Sequence, residues 1–476
     1  MIDDTTCHAA LEARDRRYDG RFYVGVTSTG IYCRCVCPAR TTRRRNRRFF
    51  PSAAAAERAG FRPCLLCRPE LAPGAAPIDA AERLAHAAVQ RIEAGALEEQ
   101  GLATLAGELG VTDRHLRRVM LRVFGATPIQ VAQTHRLLTA KRLLKDTSLG
   151  MTRVAFAAGF RSVRRFNALF LDRYGMTPSR VRGSRILKDR GLTFTLTPRG
   201  TFDGRAPFAH LAARRVARME IENGDGVMSR TLSVGSHSGW LTLDLDGAVP
   251  RLTLSDGLVP AFRAIVSAVR GALDLDADVA AINASLARTG FRADIARDPA
   301  VRLPGALDPF EVGVRAIIGQ QVTVKAATTI ATRLVNLLGE PIETAVPGLD
   351  RLFPTPERLA NAGPGRIAQL GMPLARGGAV HRLAVAVASG HIILARGAVA
   401  SGRAGLAEIP GIGPWTIEYI SLRALGDPDA FPLGDSALRA AFGGDLRRAA
   451  EAWRPWRAYA AARLWRRSAR QQRKVA

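Results

Sequence analysis

The cysteines of this chain are the first candidates for chemistry. All six lie before residue 68, and such clustering in a cytosolic protein indicates metal binding rather than disulfides. Cys33 and Cys37 form a C-x-x-x-C pair, and Cys64 and Cys67 form a C-x-x-C pair. Two such pairs match a tetrahedral zinc site, because thiolate sulfur suits Zn²⁺. The spacing also fits a closed zinc knuckle that only stabilises a small fold. We expect Cys7 to take no part in the site.

Asp435 is the second candidate. A Pro-Gly-Ile-Gly-Pro turn containing Gly411 and Gly413 separates two apolar-periodic helix patterns, the second of which runs from Trp415. The glycines allow a tight turn and a close backbone approach, and the N–H groups of a helix start suit a DNA phosphate. We interpret this stretch as a helix-hairpin-helix with Asp435 as its catalytic residue. The alternative is that Asp435 only caps the next helix.

The charge of the chain predicts a polyanionic partner. The formal net charge is +27, and arginine supplies most of the positive charge, which suits phosphate contacts. No apolar run approaches the roughly 20 residues of a membrane span, and the N-terminus has no signal-peptide pattern. We therefore expect a cytoplasmic, nucleoid-associated protein that binds DNA and no membrane. At 476 residues the chain is long enough for three or four domains.

An internal repeat follows the cysteine-containing segment. Phe124 to Pro128, an aromatic-Gly-x-Thr-Pro sequence, recurs as Tyr174 to Pro178. A helix, a short turn and a basic helix precede each copy, which is the layout of a helix-turn-helix. The candidates to contact DNA are Arg114, His115, Arg117, Arg118, Arg161, Ser162, Arg164 and Arg165. The alternative for any one of these arginines is that it only solvates its helix.

Three further segments complete the chain. The basic run from Arg40 to Arg48, which includes Arg45, lies beside the cysteines and is expected to contact phosphate. Gly183 to Gly191 is predicted to be a linker. Alternating residues predict strands at Leu192 to Leu196 and Trp240 to Leu245, with a helix from Ala206 to Arg218 between them. We expect a small α+β domain that ends near residue 300 and an all-helical segment after it.

The cysteine region resembles a known family. TGIYCRCVCPAR followed by FFPSAAAAERAGFRPCLLCRPE is similar to the N-terminal zinc domain of Ada-type adaptive-response regulators. The resemblance implies that Cys33, Cys37, Cys64 and Cys67 bind zinc and that Cys33 accepts a methyl group from a DNA methyl phosphotriester. A zinc-bound thiolate is nucleophilic at neutral pH, and its methylation removes negative charge, which makes it a switch for DNA affinity. Cys35 departs from the simple pattern and could compete with Cys33.

The repeat and its linking helix VAQTHRLLTAKRLL resemble the AraC-type DNA-binding domain, which follows the zinc domain in Ada-type regulators. This resemblance implies a transcriptional activator that binds promoter DNA and RNA polymerase. Ada-type proteins often end in a second methyltransferase domain with a Pro-Cys-His-Arg motif. No cysteine occurs after Cys67, so we predict that this second activity is absent.

The last part of the chain, roughly residues 192 to 470, resembles AlkA-type 3-methyladenine DNA glycosylases. The motifs RLPG, DPFE, RAIIGQQV, GMPL and the hairpin carry the resemblance. It implies hydrolytic removal of alkylated bases that are flipped out of the duplex. The implied base pocket contains Trp415, Tyr419, Trp465, Arg214 and His210, and aromatic faces suit a cationic base. Without the resemblance, these aromatic residues would fit core packing. His210 stands where the family often has phenylalanine, so the base preference could differ.

The same resemblance assigns roles to single residues. It makes Asp435 the essential carboxylate, which would stabilise an oxocarbenium-like sugar or orient water. Gln321 takes the place of an apolar residue that fills the gap left by the flipped base. Trp415 stands where related lyases carry a Schiff-base lysine, so we predict a monofunctional enzyme. We expect zinc as the metal, no organic cofactor, and no iron–sulfur cluster, because the C-terminal region lacks cysteines.

These inferences predict a multidomain, mainly α protein. The predicted domains are a zinc methyl-acceptor domain at 1–76, an AraC-type domain at 77–184, an α+β domain at 190–300 and a helix-hairpin-helix glycosylase domain at 301–476. The predicted function is excision of 3-methyladenine and related bases by a monomer that also senses methyl phosphotriesters and regulates transcription. One alternative is a regulator whose glycosylase half only binds DNA. Another is a glycosylase whose N-terminal half only adds DNA affinity.

Overall fold

The structure is a computed structural model that describes residues 3–14, 18–20, 22–40, 42–69, 80–99, 101–147, 149–183 and 192–475. The predicted linker after Gly183 and the predicted boundary between residues 76 and 77 lie outside these ranges. The described chain is mainly helical with a small sheet in each half, which confirms the predicted fold class. It divides into two compact units, one formed by Met1–Ala88 with Val111–Thr127 and the other by Val89–Gly110 with Pro128–Ala476.

The cysteine-containing region is built on a four-stranded sheet of order β3-β1-β2-β4. Its strands and helices are α1 (Asp4–Glu12), β1 (Tyr23–Val26), β2 (Ile31–Arg34), β3 (Arg47–Phe50), α2 (Ala53–Arg58) and β4 (Arg62–Pro63). Tyr32 and Phe50 from the strands pack with Ala56 and Phe61. Strands β2 and β4 run parallel, with Tyr32 opposite Pro63, and this pairing brings the two cysteine pairs to the same edge.

Within the described residues 80–99, 101–147 and 149–183, the next segment contains helices and no strand, as its periodicity predicts. Its helices are α3 (Ala80–Glu93), α4 (Ala96–Glu99), α5 (Leu102–Glu108), α6 (Asp113–Phe124), α7 (Pro128–Asp146), α8 (Met151–Ala157), α9 (Val163–Tyr174) and α10 (Pro178–Arg182). Thr112 caps α6 and Ser162 caps α9 through side-chain hydroxyls, and both helices end at glycines, Gly125 and Gly175, with φ of 67° and 64°. The repeated glycine therefore supplies the left-handed residue that ends each basic helix.

A five-stranded antiparallel sheet of order β5-β9-β8-β7-β6 follows. Its elements are β5 (Leu192–Thr195), α11 (Arg205–Ala212), β6 (Glu220–Glu222), β7 (Val227–Val234), β8 (His237–Asp244), β9 (Arg251–Leu254) and α12 (Phe262–Ala272). The predicted helix from Ala206 to Arg218 is too long, because α11 ends at Ala212. The N–H groups of Arg214 and Arg215 donate to carbonyls three residues back. This is the tighter 3₁₀ pattern, and the α-helix ends there.

The rest of the described chain is helical. The helices are α13 (Val279–Leu286), α14 (Arg292–Arg297), α15 (Pro309–Ile318), α16 (Val324–Leu338), α17 (Pro356–Ala368), α18 (Leu374–Ala388), α19 (Val399–Ala407), α20 (Pro414–Ile420), α21 (Ser436–Phe442), α22 (Leu446–Glu451) and α23 (Arg457–Val475). Helices α15, α18 and α20 meet in one apolar core that contains Ile317, Leu383 and Ile420. Within the described ranges, no helix is both long and apolar enough to cross a membrane.

Helices α7, α8 and α9 share an apolar core with the five-stranded sheet and α12. Leu143 and Phe166 belong to the same buried cluster as Phe194 and Ile265. Polar contacts flank this core: Arg153 Nη2 lies 2.6 Å from Asp256 Oδ1. The second helix-turn-helix is therefore docked on the α+β region, an arrangement that the sequence did not predict.

Arg263 at the start of α12 makes a further contact with the helical segment. Its side chain is buried, and Nη2 donates to the Ile92 carbonyl at 2.9 Å and to the Glu93 carbonyl at 3.5 Å, at the end of α3. We expect Arg263→Ala to cost about 1.5–3 kcal/mol locally, because a buried carbonyl loses a charged donor. Hydrogen exchange in residues 89–99 should accelerate about 10- to 100-fold. The matched control is Arg251→Ala, which removes an exposed pair with Asp244. Equal exchange in both variants would contradict the assignment.

Candidate active site and metal centre

Four cysteines form a compact cluster at the edge of the first sheet. The Sγ atoms of Cys33, Cys37, Cys64 and Cys67 all lie within 4.8 Å of one another, and those of Cys37 and Cys64 are 4.0 Å apart. Zn–S bonds of about 2.3 Å in a tetrahedron would place the sulfurs about 3.8 Å apart. The geometry and the ligand type therefore fit zinc, with the four residues that the spacing predicted.

Cys35 and Cys7 differ from the four clustered cysteines in location. Cys35 is 0% exposed and lies outside the cluster, whereas Cys33 is 9% exposed. Cys7 is buried in the apolar core beside the cluster. The backbone N–H of Arg34 donates to Cys67 Sγ at 3.4 Å, which adds a hydrogen bond that stabilises a thiolate. Cys33 is therefore slightly exposed, whereas Cys35 is completely buried.

The basic run beside the cluster is only partly available to a ligand. Arg44 and Arg47 both donate to the Glu12 carboxylate, at 2.9 and 3.1 Å for the closest pairs. Arg45 lies between them in a short 3₁₀ turn and is exposed. Arg40, Arg43 and Arg48 of this run are also exposed, so Arg45 is one of several arginines available for phosphate contact.

The basic residues of the helix-turn-helix units lie on exposed helix faces. Arg114, Arg117 and Arg118 of α6 are exposed, and Arg117 also pairs with Asp113 at 3.2 Å. In the second unit, the exposed residues are Arg161, just before α9, and Arg164 and Arg165 within it. The opposite face of α9 buries Phe166 and Phe170. Helix α9 therefore remains able to present its basic face while its apolar face packs.

The hairpin predicted around Gly411 and Gly413 joins α19 to α20. Gly411 has φ of 95°, and a Cβ there would lie 3.0 Å from the Ala379 Cβ. Gly413 precedes α20 and leaves its first N–H groups without a side-chain cap. Gln320 Nε2 donates to the Gly411 carbonyl at 3.0 Å and to Thr416 Oγ1 at 2.9 Å, so the end of α15 holds the hairpin in place.

Gly411→Ala tests the strain at this turn. We expect the free energy of unfolding to fall by about 1–3 kcal/mol, because alanine must adopt a left-handed φ and also meets Ala379. Urea unfolding followed by tryptophan fluorescence reports this region, since all five tryptophans lie between residues 240 and 465. Gly365→Ala is the control, because its added Cβ meets nothing within 4 Å. Equal midpoints for the two variants would refute a strained turn.

Asp435 lies between two indole N–H groups. It caps α21, with Oδ1 accepting from the Leu438 N–H at 3.1 Å. Trp415 Nε1 donates to Oδ2 at 3.1 Å, and Trp465 Nε1 donates to Oδ1 at 3.2 Å. Both carboxylate oxygens are therefore held in fixed positions beside the aromatic residues. The cap and the indole contacts coexist, so capping alone does not account for the side chain's environment.

Trp415, Tyr419 and Trp465 form one aromatic group. The Trp415 and Tyr419 rings are stacked with centroids 5.1 Å apart and an interplanar angle of 18°. Trp465 meets Tyr419 edge-on, with centroids 6.3 Å apart. Helix α20 supplies the first two rings and α23 supplies the third. Two segments that are distant in the sequence therefore form this group of three rings, the aromatic wall.

The hydroxyl of Tyr419 lies in a positively charged environment. Arg423 Nη1 donates to it at 2.7 Å, and the guanidinium carbon lies 5.4 Å from the ring centroid. Burial would raise the pKa of Tyr419, but Arg423, Arg214 and Arg315 outweigh burial and hold that pKa below its ordinary value. Arg423 was not predicted from the sequence as a site residue. Its position one helical turn after Tyr419 was the available signal.

His210 and Arg214 come from α11 and the turn after it. Arg214 Nη1 donates to the His210 carbonyl at 3.4 Å. Burial first, and then Arg423, Arg214 and Arg315, hold the pKa of His210 well below its ordinary value, so its imidazole is neutral at physiological pH. Arg423, Arg214 and Arg315 act on Tyr419 as well as on His210, so the two side chains share one positively charged environment.

Gln321 lies at the turn between α15 and α16. It is exposed and adopts a left-handed backbone with φ of 55°, which is uncommon for a residue with a Cβ. The preceding Gln320, which was not predicted as a site residue, contacts the hairpin, whereas the side chain of Gln321 lies at the surface.

Four stretches of the chain match known families. Residues 6–70 match the metal binding domain of Ada, and residues 105–184 match a helix-turn-helix domain. Residues 193–308 match the AlkA N-terminal domain, and residues 314–450 match the HhH-GPD superfamily of base excision DNA repair proteins. The order of these matches is the order of the predicted fusion.

Relatives match both the whole chain and its parts. The Mycobacterium tuberculosis CDC 1551 protein named "Probable bifunctional transcriptional activator/DNA repair enzyme AlkA" is 38% identical over 488 residues, which cover 98% of this chain and 97% of that protein. Escherichia coli K12 DNA-3-methyladenine glycosylase 2 is 36% identical, covering 57% of this chain and 96% of that protein. Bacillus subtilis 168 "Bifunctional transcriptional activator/DNA repair enzyme AdaA" is 30% identical, covering 38% and 83%. The chain therefore belongs to the family of bifunctional transcriptional activator/DNA repair enzymes in which Ada-type metal-binding and helix-turn-helix regions are fused to an AlkA-type HhH-GPD region.

Proposed function

We propose that the protein repairs alkylated DNA by excising damaged bases and links this repair to transcriptional regulation. The observation that carries the enzymatic part is Asp435, held by two indole N–H groups beside the Trp415–Tyr419 stack. A relative named for 3-methyladenine matches this part of the chain. We therefore take 3-methyladenine and related alkylated purines as the substrates.

The aromatic wall would bind the flipped base. Extrusion of a base from the duplex costs a few kcal/mol, and stacking on aromatic faces contributes about 1–3 kcal/mol per base. Trp415 and Tyr419 offer such faces, and an electron-deficient alkylated base adds a cation–π attraction. The exposed Gln321 would fill the gap that the extruded base leaves, and Gly411 and Gly413 would bring the hairpin backbone to a phosphate.

Asp435 would act on the sugar. As the N-glycosidic bond breaks, the base leaves with the bonding electron pair and the sugar acquires oxocarbenium character. A carboxylate about 4 Å from that charge contributes about 4 kcal/mol at an effective dielectric of 20. Water then forms the new bond to the sugar carbon and loses a proton. Trp415 stands at the position of the lyase lysine, so no amine forms a Schiff base there and the strand should stay intact.

Cys33 is the proposed methyl acceptor. When bound, zinc would keep the cluster thiols deprotonated. Cys33 Sγ would attack the methyl carbon of a phosphotriester, the S–C bond would form as the C–O bond breaks, and the electron pair would remain on the phosphate oxygen. The accessibility of Cys33, compared with the complete burial of Cys35, supports this assignment. The thioether product has no route back, so each chain should react once.

Loss of one thiolate charge would favour DNA binding. The exposed basic faces of α6 and α9 would then engage promoter DNA, with Arg45 adding a phosphate contact. We propose that the protein acts as a monomer at the nucleoid and recruits RNA polymerase.

A test of the enzymatic part is base release by the full-length protein from methylated DNA. Free bases should accumulate while the phosphodiester backbone stays intact, and strand cleavage without added base would contradict a monofunctional enzyme.

A further inference from the structure

The loop that leads to Asp435 is fixed to helix α20 at two points. At the end of the loop, Trp415 Nε1 donates to Asp435 Oδ2 at 3.1 Å. Four residues earlier, the backbone N–H of Phe431 donates to Glu418 Oε2 at 2.9 Å. Trp415 and Glu418 are three residues apart on α20, so they are neighbours on the helix surface. Adjacent side chains of α20 therefore contact both ends of the segment from Phe431 to Asp435.

Short backbone hydrogen bonds connect Phe431 to Asp435. The Leu433 N–H donates to the Phe431 carbonyl at 2.8 Å. The Asp435 N–H donates to the Pro432 carbonyl at 2.9 Å, and the ring of Pro432 fixes its own φ. The Phe431 side chain is buried and meets Trp453 edge-on. Because so few torsions between them are free, a shift of the Phe431 backbone would move the Asp435 carboxylate.

Arg403 of α19 holds the Glu418 carboxylate in place. Its Nη2 donates to Glu418 Oε1, and its Nη1 donates to Glu418 Oε2 at 3.2 Å. Nη1 also lies 3.4 Å from Oδ2 of Asp427, which belongs to the loop. Two parallel guanidinium–carboxylate contacts fix orientation as well as charge. The three side chains are between 17% and 33% exposed, so solvent screens them less than it screens a surface pair.

We propose that Glu418, held by Arg403, is a positioning residue that sets the Asp435 carboxylate for its action on the sugar. The inference rests on the proposed glycosylase function and adds to it a residue that acts through the loop. Its effect belongs to the chemical step, because misplacement of a reacting group by about 1 Å can lower the rate about 100-fold. DNA affinity should not depend on Glu418, since the proposed DNA contacts come from other residues.

Glu418→Ala in the full-length protein tests the positioning role. With protein in saturating excess, single-turnover release of 3-methyladenine from methylated DNA should fall about 10- to 100-fold. The protein concentration that half-saturates the reaction should stay within about twofold, because binding is unaffected. Glu418→Gln should keep most of the rate, since its amide oxygen still accepts the Phe431 N–H. Glu340→Ala, which removes an exposed pair with Arg358, is the matched control and should keep the full rate.

The Asp435→Asn background shows whether Glu418 acts through Asp435. Adding Glu418→Ala to Asp435→Asn should lower the residual rate by less than about twofold, because the carboxylate that Glu418 positions is already gone. The same rate loss in both backgrounds would leave Glu418 only a structural role and overturn the proposal. A Glu418→Gln variant as slow as Glu418→Ala would also overturn it, since the ion pair with Arg403 would then matter rather than the bond to the loop.

Hydrogen exchange separates this proposal from the glycosylase function. Glu418→Ala should accelerate exchange in residues 431–435 about tenfold, because the Phe431 N–H loses its acceptor, whereas Glu340→Ala should not. Unchanged exchange in Glu418→Ala would overturn the positioning role by itself. If the wild-type protein releases no alkylated base although this exchange accelerates in the variant, the glycosylase function fails, and the proposal fails with it.

Discussion

Asp435→Asn should lower base release from methylated DNA about 1000-fold. The carboxylate contributes about 4 kcal/mol to a sugar cation about 4 Å away, and each 1.36 kcal/mol changes the rate about tenfold. Asparagine keeps the shape of the side chain and is also a good helix N-cap. The variant should therefore fold and bind DNA normally, so the loss would lie in the chemical step. Quantifying free 3-methyladenine in single-turnover reactions measures the effect.

The matched control is Asp445→Asn. Asp445 also caps a helix of the same domain, accepting from the Arg448 N–H at 3.0 Å, but it is exposed and lies outside the aromatic group. It should retain full activity. If Asp435→Asn instead releases base as fast as Asp445→Asn, then Asp435 is only a cap. The C-terminal half would then be a DNA-binding module of a transcription regulator.

Cys33→Ser should abolish methyl acceptance completely. The wild-type protein exposed to methylated DNA should gain one CH₂ in mass on the peptide that contains Cys33, because methyl replaces the thiol proton. Serine removes the sulfur nucleophile, and loss of one ligand also weakens zinc binding, which supplies folding free energy in such sites. Peptide mass spectrometry gives the modified residue, and zinc content measured on the same sample separates loss of the acceptor from loss of the metal.

Cys35→Ser and Cys7→Ser are the controls for this assignment. Neither residue belongs to the cluster, so both variants should keep zinc and accept a methyl group on Cys33. Methylation of Cys35 in the wild-type protein would show that the fully buried cysteine is the nucleophile. Methylation of Cys33 in a zinc-free sample would contradict activation of the thiol by metal.

The parts of the fold that follow from local chemistry were predictable. Cysteine spacing identified the four clustered residues because a tetrahedral site needs two close pairs. The repeated aromatic-Gly-x-Thr-Pro sequence located both basic helices, since Gly125 and Gly175 supply the left-handed residue that ends each helix. The Gly-Asp-Ser turn gave Asp435 its capping position. In each case the signal lies within a few residues.

The parts that depend on distant segments were not predictable. The docking of α7 to α9 on the α+β region rests on an apolar core. Arg263 adds a separate contact between α12 and the end of α3. No local pattern encodes such a contact. The predicted helix from Ala206 was too long because the chain leaves the helix after Ala212, and Val216 packs against Ala331 and Val335 of α16. Arg423 looked like an ordinary helix residue, and its importance depends on which groups surround it after folding.

The most direct test of the central claim follows both reactive centres in a single reaction of the full-length protein with methylated DNA. Free 3-methyladenine in solution and methyl on the protein are quantified over time in the same samples. We predict that released base rises far beyond one equivalent per chain, while methyl on Cys33 stops at one equivalent. Base release that stops at one equivalent or is absent, or methyl that never appears on Cys33, would contradict a protein that joins a turning-over glycosylase to a single-use methyl acceptor.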